Sequence, residues 1–190
     1  HCGPGGFGNG GRVITAIGSG LGTGFATGIV VLADGKIVVA GFAGANFALA
    51  RYCADGLLDN GVNCGQGGFG GGGIVTTSFA GGSAVARGLA LQSDGKLLVA
   101  GSVGSLLGNQ DFAIARYCAN GSLDDGVHCG GTGFGNGGKV TTSLRAGRDE
   151  ALAVAVQPDG KVVAAGYSAA ASNNDDFAIV RYCADGRLDD

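Results

Sequence analysis

The sequence contains no methionine and no tryptophan, and only two prolines and two histidines. Without methionine, and opening on His1-Cys2-Gly3, it carries no translation start and no signal peptide, and is read as a processed product or a piece of something longer. Two prolines exclude a proline-rich stalk. No uninterrupted apolar run reaches the length of a membrane-spanning helix, so no membrane span is expected. There is no basic run and the net charge is −3, which leaves a phosphate backbone nothing to bind. Nucleic acid is therefore not expected as a partner.

What is abundant is glycine, 42 of 190 residues, about three times the usual share. Glycine at this level signals disorder only where apolar residues are scarce, and here 45% of residues are hydrophobic against 14% charged. Such a chain can bury a core, and its glycines are expected to mark turns and tight packing.

The dominant feature is an internal repeat. Phe47-Ala48-Leu49-Ala50-Arg51-Tyr52-Cys53 recurs as Phe112-Ala113-Ile114-Ala115-Arg116-Tyr117-Cys118 and as Phe177-Ala178-Ile179-Val180-Arg181-Tyr182-Cys183. An Asp-Gly-Lys triplet recurs at 34–36, 94–96 and 159–161, and a Gly-Phe-Gly loop around Phe7, Phe69 and Phe134. Cys2 to Cys64 is 62 residues and Cys64 to Cys129 is 65. Three repeats are expected, at 1–63, 64–128 and 129–190.

Each repeat reads as four strands. The first follows the glycine-rich loop at Val13-Ile14-Thr15, Ile74-Val75-Thr76-Thr77 and Val140-Thr141-Thr142, rich in β-branched residues. The second shows period-two alternation in Leu152, Val154 and Val156 against Ala151, Ala153 and Ala155. The Asp-Gly pairs then predict hairpins into a third strand, since both residues tolerate positive φ. The fourth is the Phe-to-Cys block, where Phe112 and Ile114 face one way and Ala113 and Ala115 the other. A strand apolar on both faces is covered on both. Sheets stacked so that bulky side chains meet small ones satisfy this, as in propeller blades. The expected fold is all-β, in tandem four-stranded antiparallel blades forming a propeller or an open, superhelical array. A β-solenoid is the alternative, disfavoured by the hairpins.

Asp-Phe-Ala-Ile-Ala-Arg-Tyr at 111–117, Asn-Gly-Ser-Leu-Asp at 120–124, Gly-Phe-Gly-Asn-Gly-Gly-Lys-Val-Thr-Thr at 133–142 and Ala-Val-Gln-Pro-Asp-Gly-Lys at 155–161 together resemble the delta-60 repeat. That family comprises bacterial, β-propeller-like tandem repeats. The resemblance covers essentially the whole chain. It implies the fold and a secreted or surface setting, and it offers no catalytic motif to carry over. The extra cysteines in each copy depart from the usual repeat and point to covalent reinforcement.

Cys53 and Cys64, like Cys118 and Cys129, stand eleven residues apart around a loop-like segment. Disulfides closing these loops are expected, and with them an oxidising, extracellular or cell-surface location. A Cys-His metal site is the rival, since His1 and His128 precede cysteines. The middle copy has Asn63 at that position, and C-x-x-C pairs are absent. Cys2 and Cys183 are left as halves of the same pair at opposite ends, as if three periods had been cut from an array or joined head to tail. An inter-repeat or inter-subunit disulfide is expected for them.

Three further features have a structural and a functional reading. Gly133-Phe134-Gly135-Asn136-Gly137-Gly138 resembles a nucleotide-binding loop but precedes a strand and lacks the phosphate-loop lysine, so it reads as a turn. Asp55, Asp59, Asp124, Asp125, Asp185, Asp189 and Asp190 suit turns, with calcium binding as the alternative. Arg51, Arg116 and Arg181, each on an apolar strand, are expected to be largely buried structural arginines with repeated, equivalent hydrogen bonds. No cofactor is otherwise implied and no Ser-His-Asp set is discernible, so the chain is expected not to be an enzyme. The expected function is an extracellular structural repeat protein, partnered by copies of itself head to tail in a fibre or filament. The alternative is a secreted or surface propeller that binds a ligand, carbohydrate or protein. The copies differ at 43–46, 102–110 and 167–175, as binding loops do.

Overall fold

The computed structural model describes residues 6–18, 23–65, 67–105, 108–169 and 174–190. Among these residues it is all-β, with eleven strands in three antiparallel sheets. Blade 1 consists of β1 (Gly24–Val31), β2 (Ile37–Ala43), β3 (Asn46–Tyr52) and β4 (Ile74–Thr77). Blade 2 consists of β5 (Ser83–Leu91), β6 (Leu97–Gly104), β7 (Gln110–Tyr117) and β8 (Lys139–Thr142). Blade 3 has β9 (Asp149–Val156), β10 (Val162–Ala169) and β11 (Asp175–Tyr182). Antiparallel pairing in every sheet rules out the parallel coils of a solenoid.

The Asp-Gly turns lie where the sequence puts them. Gly35, Gly95 and Gly160 have φ of 82°, 84° and 84°, and each turn closes with a backbone bond such as Leu32 N–H to Lys36 O at 2.8 Å. The aspartate side chain finishes the turn by accepting from the lysine amide, at 3.1 Å in all three copies.

Two strand-level expectations change. The strand after each glycine-rich loop does not open its own blade. Ile74–Thr77 and Lys139–Thr142 pair with β3 and β7, closing the preceding sheet as its outer strand. Sheet boundaries therefore run out of step with boundaries at 63/64 and 128/129, because sequence similarity marks a period but not its starting point. The second change is a bulge in every inner strand, at Thr27, Arg87 and Leu152. The extra residue shifts the alternation by one. Ala151, Val154 and Val156 consequently pack into one core, while Leu152 is 48% exposed. Glycine is required opposite each bulge. A Cβ on Gly41, Gly101 or Gly166 would run into the carbonyl oxygen of Phe25, Val85 or Glu150.

The blades stack large against small. Val38, Ala40, Phe47 and Leu49 of blade 1 meet Ala84, Ala86, Leu97, Val99, Ala113 and Ala115 of blade 2 in one core. Leu98, Ala100, Phe112 and Ile114 meet Ala151, Val162, Ala164, Ala178 and Val180 in a second. The inner strands come closest, so that a Cβ on Gly28 would lie 2.7 Å from Leu89 Cβ.

Candidate functional site

The repeated arginines sit at the blade joints. Arg116 is 5% exposed, and its Nε donates to Asp124 Oδ2 at 2.7 Å. Its Nη2 donates to Gly133 O at 2.8 Å and its Nη1 crosses to Ala184 O of the next blade at 2.5 Å. The guanidinium lies 4.7 Å from the Phe134 ring centroid. Arg51 repeats the set on Asp59, Gly67 O, Ala119 O and Phe69. One side chain thus ties its own strand, the outgoing loop and the following blade, and burial is tolerated because each donor edge is used. Arg181 differs from the expectation of a buried residue. It keeps only the ion pair to Asp189, at 2.5 Å, and its side chain is 49% exposed. The loop and blade that bury the other two are supplied by the succeeding repeat, which no described residue provides for Arg181. Lys161 and Arg181 hold the Asp189 carboxyl below the ordinary carboxylate range, the Lys161 hydrogen bond leading.

Each joint is also pinned by a phenol. Tyr117 OH donates to Thr77 Oγ1 and Tyr182 OH to Thr142 Oγ1, both at 2.8 Å, tying a blade to the outer strand of the one before. Burial pushes the Tyr117 phenol well above its ordinary value. Tyr52 OH makes the same bond to Thr15 at 2.8 Å, so the segment around residues 7–15 sits on blade 1 as β4 and β8 sit on their successors. Between this segment and blade 1 lies a cavity of about 500 Å³, lined by Val13, Phe25, Val39, Ala48, Ala50 and Tyr52.

Cys53–Cys64 and Cys118–Cys129 are disulfides, with Cα atoms 5.4 and 5.3 Å apart. They close loops on the rim that carries the Asp-Gly turns. Cys183 is a half-buried free thiol, and Cys2, its expected counterpart, lies outside the described residues with His1. His128 Nδ1 faces Asp125 Oδ2 at 2.7 Å. The His128 and Val127 amides hold the Asp125 carboxyl at about 2. Among the described residues no group of three or more His, Cys, Asp or Glu converges as cation ligands. Buried Asp59 and Asp124 are paired with arginine and lysine, and buried Asp149 accepts from the Leu144 and Arg145 amides.

The opposite rim is where the copies part. At equivalent places on the inner two strands stand Phe25 and Phe42 in blade 1, Val85 and Ser102 in blade 2, and Glu150 and Tyr167 in blade 3. The bulge residue Arg87 links them. Its Nε donates to Glu150 Oε1 at 2.5 Å and its guanidinium lies 5.9 Å from the Phe42 ring. Tyr167 OH donates to Glu150 Oε2 at 2.7 Å and accepts from Arg148 Nη2 at 2.9 Å. Burial, then the Glu150 hydrogen bond, raises the Tyr167 phenol above its ordinary value.

A family model described as a domain of unknown function (DUF5122) beta-propeller matches residues 32–61, 92–126 and 157–190, just over half the chain. The chain belongs to the DUF5122 beta-propeller family. Each matched stretch begins two residues before the Asp-Gly turn and runs past the arginine and its aspartate, while Gly67, Phe69, Gly133 and Phe134 of the joints lie outside it. No curated protein matches this propeller. Among solved structures it is similar to an exo-1,5-alpha-L-arabinanase from a bovine ruminal metagenomic library, at 14% identity and a TM-score of 0.47. The match covers 94% of this chain and 60% of the arabinanase, so this chain spans less than two thirds of that protein.

One expectation is corrected on that finding. The sequence reading held the chain not to be an enzyme. A structure it resembles is an arabinanase, and the exclusion does not stand. A likeness of this degree assigns this DUF5122 propeller no activity in its place. The two disulfides place the propeller in an oxidising, extracellular or secreted setting. Among the described residues, no helix is long and apolar enough to cross a membrane. Sequence reasoning marked part of the divergent rim, since 102–110 and 167–175 include Ser102 and Tyr167, but missed its innermost-strand residues. Its signal was present in the failure of positions 25, 85 and 150 to repeat, but only the bulge brings Arg87 to Glu150.

Proposed function

We propose that this propeller is an extracellular structural scaffold that assembles end to end through its outward blade faces into a fibre or filament. The observation that supports this is a size complementarity between the two ends. Phe177 and Ile179 on blade 3 are 101% and 73% exposed, whereas their equivalents Phe112 and Ile114 are fully buried against a neighbouring blade. The cavity side of blade 1 offers Val39, Ala48 and Ala50, the counterparts of the Val99, Ala113 and Ala115 that receive Phe47 and Leu49 inside the molecule. Ala48 and Ala50 are already only 3% and 1% exposed, so it is the bare Phe177 and Ile179 face that needs a cover in water, and the cavity on blade 1 is the space that admits it. Repeating one joint between copies is a heterologous contact, which closes as a ring or extends as a filament. The same contact brings Cys183 toward the position that Cys64 and Cys129 fill in the other copies, which the sequence assigns to Cys2. Light scattering and electron microscopy of the 190-residue chain test the reading. Concentration-dependent assemblies that vanish in Phe177→Asp are expected. A monomer at every concentration overturns it.

A second reading, ligand binding at the divergent rim, is favoured by one observation: side chains differ between copies there while the joints stay constant. Phe25, 58% exposed, stacks on Phe42 beside the Arg87 guanidinium. An aromatic face beside a guanidinium suits a sugar ring carrying negative charge. Binding to a panel of neutral and acidic oligosaccharides, lost in Phe42→Ala with the fold intact, is its test.

A further inference from the structure

We infer that the open edge of β11 receives residues 6–15 of a second copy as a fourth strand, so that each joint between copies is laced by a donated strand as well as stacked faces. This rests on the end-to-end reading and names the segment that makes the contact.

The template occurs twice inside the chain. In blade 2, β7 is closed by β8 in the register Phe112↔Thr142, Ala113↔Thr141, Ile114↔Val140 and Ala115↔Lys139. In blade 1, β3 is closed by β4 in the register Phe47↔Thr77, Ala48↔Thr76, Leu49↔Val75 and Ala50↔Ile74. Each closing segment does two jobs. Backward, its backbone pairs with the preceding blade, as in Arg116 N–H to Gly138 O at 2.9 Å, and its phenylalanine lies against that blade's arginine. Forward, its threonine accepts from the next tyrosine, and its glycine amide donates to the next turn, as in Gly135 N–H to Asp185 O at 2.7 Å.

Residues 7–15 have the same local form. Asn9 and Arg12 make the bridge that Asn136 and Lys139 make. The forward job is complete: Thr15 accepts from Tyr52, and Gly8 N–H donates to Asp55 O at 2.7 Å. The backward job has no counterpart, since Val13–Thr15 pair with no strand among the described residues. Phe7 is only half-buried, where Phe69 and Phe134 are 0% and 1% exposed. At the other end, among the described residues, β11 pairs with β10 alone, and Arg181 has its aspartate but neither loop carbonyl nor ring. The unmet half of one end is the unmet half of the other. Strand addition of this kind draws its affinity from main-chain bonds and its specificity from alternate side chains. Transferring the register gives Phe177↔Thr15, Ala178↔Ile14, Ile179↔Val13 and Val180↔Arg12, with Arg181 N–H donating to Gly11 O and Phe7 against the Arg181 guanidinium.

The test adds a synthetic peptide of residues 6–18 to the whole chain, at a dilution where light scattering finds monomer. Hydrogen exchange is then read at the Phe177, Ile179 and Arg181 amides, which the alternation of an antiparallel ladder turns toward the open edge. The peptide should slow these three by about tenfold or more, leaving β10-facing amides unchanged. A peptide carrying Val13→Pro, which lacks the central donor, should not. If wild-type chains assemble and Phe177→Asp abolishes assembly, but the peptide protects none of the three amides, strand donation is overturned and the end-to-end reading survives. If the peptide protects them while the chain never assembles, the edge is as inferred and the end-to-end reading fails.

Discussion

The joint between blades 2 and 3 and the outward face of blade 3 use the same side chains in different surroundings. Phe112 is fully buried and Phe177 is 101% exposed; Arg116 is clamped from three sides and Arg181 from one. The difference shows that in a repeat of this kind the energetic weight of a residue belongs to the joint rather than to the sequence motif. A substitution inside a joint and its twin on the free face are therefore expected to behave as different mutations.

The largest contrast is expected for the aromatic. Phe112→Ala should destabilise the chain by about 3–5 kcal/mol through lost burial and a residual cavity. Phe177→Ala should change the monomer by no more than about 0.5 kcal/mol, as an exposed site does. Urea unfolding monitored for both variants checks this, and equal losses would mean that blade 3 is already covered in the unmixed chain. Arginine gives the next contrast. Arg116→Ala leaves Asp124, which has no exposed surface, with only the longer Lys96 contact at 3.5 Å, and should cost about 3 kcal/mol. Arg181→Ala removes a pair open to solvent and screened by it, worth at most about 1 kcal/mol.

The disulfides should contribute about 3 kcal/mol each by restricting the unfolded chain, so mild reduction should lower the unfolding midpoint in two steps. Both lie on the constant rim, and reduction should leave the divergent rim's contacts in place. Tyr117 sharpens the comparison through pH. Its folded phenol titrates above the ordinary 10.0, chiefly because it is buried. The unfolded phenol therefore loses its proton first, and the stability carried by the neutral form, intact below pH about 10, falls as pH rises from there toward the folded value. Tyr117→Phe should cost about 1 kcal/mol at neutral pH through the lost Thr77 hydrogen bond, and should flatten the alkaline limb. The smallest effect is expected at the divergent rim. Arg87 is 39% exposed in its side chain, and Tyr167 OH still donates to the buried Glu150 once the arginine is gone, so Arg87→Ala should shift stability by only about 1 kcal/mol. A large loss there would mark the rim as structural and weaken the ligand-binding reading.

Much of this was legible in the residues. The Asp-Gly turns, the large-small alternation of the Phe-to-Cys block and the eleven-residue cysteine spacing are local signals, set by φ preference, side-chain volume and loop length. They determined an all-β repeat whose strands are covered on both faces and whose loops are clipped. Three things depended on contacts between segments far apart in the chain. The closing strand joins the preceding blade, where its backbone bonds complete the edge of that sheet. The bulge moves Leu152 and Arg87 out of phase with their neighbours because a single extra residue inverts every side chain that follows. Arg181 is exposed while Arg116 is buried because the groups that bury an arginine belong to the next repeat. The sequence alone determined what each blade is made of; the tertiary structure decided which blade each strand belongs to, because strand pairing and face burial are settled by neighbours in space.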